Sequence, residues 1–112
     1  MEGAGMRSDF LLSLFLSSLL AGLCRAHKAG LTADEMLAIT SRVTDCEWKA
    51  VARYDDGRST VAQLAERTMG ICSVERLHAR RAFNLSPTDP AIDLDEFKQA
   101  VGIVEHLRKT RQ

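Results

Sequence analysis

Cys46 and Cys72, three histidines, and short clusters of carboxylates and arginines are the residues of this chain whose chemistry reaches beyond packing. The two cysteines lack the C-x-x-C spacing of thiol redox enzymes and suit a structural disulfide formed in an oxidising compartment. No serine or cysteine stands in a nucleophile elbow. His78 and His106 fall on different expected helices with no partner at zinc-ligand spacing, and His27 is isolated near the start. Any of the three can sense mild acid. Asp55-Asp56 precede Gly57, where short acidic side chains serve turns and helix ends rather than acid–base catalysis. The pattern therefore predicts no catalytic residue, no metal ligand, no cofactor and no enzyme. Arg76, Arg80 and Arg81 are the remaining cluster, with 76 and 80 on one helix face and 81 beside it. They read as a solvated face, as partners for the acidic start of the last helix, or as a candidate docking patch for an acidic partner or lipid headgroup.

The segment Asp89 to Phe97, DPAIDLDEF, places Ile92, Asp93, Glu96 and Phe97 in an order that resembles the closing half of a calcium-binding EF-hand loop. Aligned so that Glu96 closes the loop, its first, third and sixth places hold Leu85, Pro87 and Pro90. That family has there an acidic ligand, a second oxygen ligand and the turn glycine. Helix capping accounts for the same carboxylates without a metal.

These groups need helices to position them. Thr32 with Glu35 three residues on forms a capping box, and Met36, Ile39, Val43, Cys46, Ala50 and Tyr54 recur at three- and four-residue steps. A helix is expected from there to about Asp55, where Asp56-Gly57 turns the chain. Thr60 with Gln63 opens a second helix whose Val61, Leu64, Ala65, Thr68 and Cys72 share a face. It is expected to reach about Asn84, with a bend where the pattern loosens through Gly70 to Glu75. Cys46 lies about 14 Å before the intervening turn and Cys72 about 18 Å after it, so antiparallel helices bring the two to one height. Ser86-Pro87-Thr88-Asp89-Pro90 reads as a loop. The last helix is expected to be capped by Asp93, with Leu94, Phe97, Val101, Val104 and Leu107 as its stripe and cationic residues at its end.

The N-terminal run FLLSLFLSSLLAGLC, from Phe10 to Cys24, follows Arg7 and precedes Arg25-Ala26. This pattern is that of a secretory signal peptide cut after Ala26, with Met1 or Met6 as its start. The run falls short of the roughly 20 residues of a spanning helix, so no stable membrane anchor is expected after cleavage. Residues 1–26 are thus expected to be removed, and 27–112 to form one helical domain. The whole chain carries 15 Lys+Arg and 15 Asp+Glu, for a formal net charge of zero. Removing Glu2, Arg7, Asp9 and Arg25 leaves that balance unchanged, which argues against a general nucleic-acid binder. Cleavage also discards Cys24, and the remaining pair closes a loop of about 26 residues, worth roughly 3 to 3.5 kcal/mol on the chain-entropy model.

The sequence thus predicts an all-α fold: a small bundle of three to four helices with one disulfide. In layout, and in the segment from Cys46 through Arg53-Tyr54-Asp55-Asp56-Gly57-Arg58 to Cys72, the chain resembles small exported bacterial helical proteins, many without assigned function. It is also similar, more distantly, to the acid-activated periplasmic chaperones, helical proteins whose single disulfide joins cysteines farther apart. The first resemblance implies a periplasmic or secreted interaction module with an unknown protein partner. The second implies a chaperone that loosens under acid.

Overall fold

The computed structural model describes residues 30–111. The expected signal peptide, its cut site and His27 lie outside them. Within them the chain forms four helices: α1 (Ala33–Tyr54), α2 (Val61–Ile71), α3 (Ser73–Ala82) and α4 (Pro90–Thr110). The fold is all-α, a small bundle with the disulfide Cys46–Cys72, as expected.

Helix α1 begins where Thr32 Oγ1 accepts from the Glu35 amide and the Glu35 carboxylate accepts from the Thr32 amide, the expected capping box. Gly57 turns the chain with φ at +72°, a conformation that costs glycine little. Thr60 and Gln63 then make the second capping box and open α2. α2 packs back against α1, and the two cysteines meet with a Cα–Cα distance of 5.9 Å.

The expected single second helix is two. Cys72 leaves helical geometry at φ −96° and ψ 22°, ending α2, and α3 resumes one residue later. No side chain caps α3. Its far end closes in a Schellman arrangement, with the Leu85 amide on the Arg80 carbonyl and the Asn84 amide on that of Arg81. Asn84 sits there at φ +57°, which asparagine tolerates better than most residues.

The start of α4 differs from expectation. The cap is Asp89, whose carboxylate accepts from the Ala91 amide, and Pro90 is the first helical residue. Proline fits there because its fixed φ suits a helix and the first-turn amide it lacks would have had no partner. Asp93 and Glu96 are thereby freed from capping. Leu94, placed in the apolar stripe by periodicity, is exposed at 52%.

The bundle is thus three rods, the second broken at Cys72. α2 runs back along α1 from the turn at Gly57 to the Cys46–Cys72 bond, and α3 also packs on α1. α4 starts beside α3 and finishes beside the end of α1, as its arginine and carboxylate contacts show. Val51 of α1, Leu64 and Ala65 of α2, and Ala100, Ile103 and Val104 of α4 form the buried centre, flanked by Trp48, Met69 and Phe97. The buried Thr68 hydroxyl donates to the Leu64 carbonyl, so the core carries no orphan at that point.

Candidate functional site

Three charged constellations stand out, and two hold the bundle together. At one end, Arg76 and Arg80 of α3 reach across to α4. Arg76 Nε donates to Glu96 Oε2 at 2.6 Å and Arg80 Nε to Glu96 Oε1 at 2.5 Å, while Arg80 also pairs with Asp93. Arg76 further donates to the Met69 carbonyl and Arg80 to that of Pro87. Arg80 is only 3% exposed. Of the three arginines of the candidate docking patch, two are therefore turned inward, and only Arg81 remains on the surface. With Asp89 as cap, Asp93 and Glu96 stand one turn apart on α4 and face the arginine pair one turn apart on α3.

Glu47 completes this constellation from α1. It is 1% exposed, and its Oε2 has no hydrogen-bond partner. Burial pushes its carboxyl up from 4.5 to about 7, with Arg76 acting against the rise and Glu96 adding to it. Sequence reading passed over this residue. The signal was present: Glu47 lies four residues from both Val43 and Val51, on the helix stripe that meets the core.

At the other end, Arg108 of α4 grips Asp55 through Nε–Oδ2 at 3.1 Å and Nη2–Oδ1 at 2.9 Å, and its Nη2 also reaches the Ser59 carbonyl. Arg111 adds a longer contact to the same carboxylate. The Arg108 hydrogen bonds, with the Gly57 amide, hold the Asp55 carboxyl below the ordinary range. Asp56 is lowered to about 2, chiefly because the Ser59 and Arg58 amides donate to it. Both aspartates are thus turn and clamp residues, in keeping with their expected role.

The third constellation lies beside the disulfide. Arg42, Cys46, Lys49 and Arg53 follow one another along one stripe of α1 and, with Tyr54, form one wall of an open groove of about 530 Å³. Ile71 and Glu75 line the other wall. The guanidinium carbons of Arg53 and Arg67 lie 5.4 and 5.2 Å from the centroid of the Tyr54 ring. Among the described residues, Arg42, Lys49, Arg53 and Arg67 make no ion pair, in contrast to Arg76, Arg80, Arg108 and Arg111.

His78 is exposed, and His106 packs edge-on against Trp48 with ring centroids 5.4 Å apart, tying α4 to α1. Among the described residues, no three His, Cys, Asp or Glu side chains stand where they could hold a metal ion. Nor is any helix there long and apolar enough to cross a membrane. Comparison with protein-family models, with curated proteins and with solved structures finds no match to this chain.

Proposed function

We propose that this chain is an exported, non-enzymatic protein-interaction module of the periplasm or cell exterior. The observation that carries the reading is that the bundle closes its core and still leaves large apolar side chains outside. Ile71, Val74 and Leu77 follow at three-residue steps across the α2–α3 break, with Val74 exposed at 74%. Apolar surface of this kind, set among charges, is what protein contacts use. The Cys46–Cys72 bond supports export, since such bonds persist in oxidising compartments, and these are the two cysteines left after a cut at Ala26. The reading includes no calcium site, because Asp93 and Glu96 are engaged by arginines.

The test is mass spectrometry of the protein from its natural host, followed by affinity recovery of partners from the exported fraction. A mature N-terminus at His27, cysteines resistant to alkylation and a specifically recovered protein are expected. An uncut N-terminus with two alkylatable thiols, or no specific partner, overturns the reading. The acid-activated chaperone is the second reading, and Glu47 opposes it for mild acid: neutralising a buried carboxylate whose folded pKa is raised tightens the fold rather than loosening it.

A further inference from the structure

Taking the interaction-module reading as its premise, the geometry points to the groove beside the disulfide as the docking site, and to a short acidic segment of a partner protein as its occupant. The charge pattern selects this partner. The formal net charge of the chain is zero, and of the twelve Lys and Arg among the described residues eight make no ion pair, three of which, Arg42, Lys49 and Arg53, line this one groove. Four arginines are engaged by internal carboxylates, whereas Arg42, Lys49, Arg53 and Arg67 are exposed and lack an ion pair.

Tyr54 makes part of this set a built feature. An aromatic face attracts a guanidinium without neutralising its charge or occupying its N–H donors. Arg53 and Arg67 both lie over that ring, so their side chains are positioned while their hydrogen-bonding capacity stays open to an incoming carboxylate. The cationic stripe from Arg42 to Arg53 extends about 16 Å along α1, the reach of about five extended residues.

Two further features separate a protein segment from other anions. Asp45 and Glu75 also line the groove and repel a uniformly anionic surface such as a nucleic-acid backbone or an acidic bilayer. A peptide avoids that repulsion by placing a neutral side chain opposite each of them. Ile71 then offers an apolar contact within the same groove, suited to an aliphatic residue among the carboxylates.

The probe is a labelled synthetic peptide in which about four glutamates alternate with alanines around a single leucine, titrated into protein whose Cys46–Cys72 bond is intact. Binding that weakens with salt is expected, as for any contact dominated by exposed charge. The triple variant Arg42→Glu, Lys49→Glu, Arg53→Glu should lose about tenfold or more in affinity and remain folded, with a melting temperature lowered only modestly by loss of the Arg53–Tyr54 stacking and by new repulsion around Asp45, because all three side chains are exposed. The double variant Arg42→Gln, Lys49→Gln, which reverses no charge, should lose about threefold and serves if the triple variant misfolds. Equal binding of a glutamine version of the peptide, undiminished binding by both variants, or tighter binding of a single-stranded oligonucleotide or of anionic phospholipid vesicles overturns the assignment. A native partner retained equally by the wild type and the triple variant overturns the groove alone. Absence of any specific partner overturns the module reading.

Discussion

Glu47 is a carboxyl that folding removes from water without fully replacing what water supplied, and its effect on stability has a definite sign. Its folded pKa of about 7 stands above the unfolded 4.5, so the folded chain holds this proton more tightly. The associated stability is complete below about pH 4.5 and is lost as pH rises through 7, by up to about 3 kcal/mol. Urea unfolding at pH 5 and pH 8 should therefore show the wild type weakening, and the Glu47→Gln protein should show a smaller loss over the same interval. Equal losses in the two proteins would refute the role given to Glu47. Arg80 and Arg81 offer a second contrast between neighbours. Arg80→Ala leaves Glu96 with Arg76 as its remaining cation, takes the nearer arginine from Asp93 and empties a buried site, and should cost about 2–4 kcal/mol, whereas Arg81→Ala at the surface should change stability by less than about 0.5 kcal/mol. Chemical denaturation of the two variants checks the difference, and comparable losses would contradict the buried network.

The disulfide joins α1 to the α2–α3 rod at the residue where that rod breaks. Replacing both cysteines by serine should lower unfolding free energy by about 3 kcal/mol, read from denaturant midpoints against the oxidised protein. A change below about 1 kcal/mol would show that packing alone holds this junction. Helices and bond alike were legible in the sequence, because capping pairs at Thr32 and Thr60, the stop at Gly57 and the equal heights of the cysteines are local signals. The start of α4 was less so. Asp89-Pro90 and Asp93 each satisfy a start rule, and only the arginines of α3, distant in sequence, determine which carboxylates are needed elsewhere. Cys72 illustrates a related limit: apolar spacing continues through it while the backbone does not. The groove of Arg42, Lys49, Arg53 and Tyr54 was hidden for another reason. Exposed cations look alike in sequence until the structure shows which have an internal partner.

The titrating groups of the molecule work against one another, which sets its response to acid. Between pH 7 and about 4.5, protonation of Glu47 tightens the fold. Asp55 and Asp56, both held low, contribute stability above the unfolded value of 3.8 that is lost as pH falls below it. A dye for exposed apolar surface should accordingly stay at baseline from pH 7 to 4.5 and brighten only below about pH 4. A strong rise near pH 5, with suppression of client aggregation, would instead establish the chaperone reading. The two arginine clamps have a consequence for how this chain can change length. Glu96 near the start of α4 and Arg108 near its end each meet a fixed counterpart on another rod. One residue inserted between them would swing one clamp about 100° relative to the other. Insertions and deletions are therefore barred from that stretch and confined to the connecting turns.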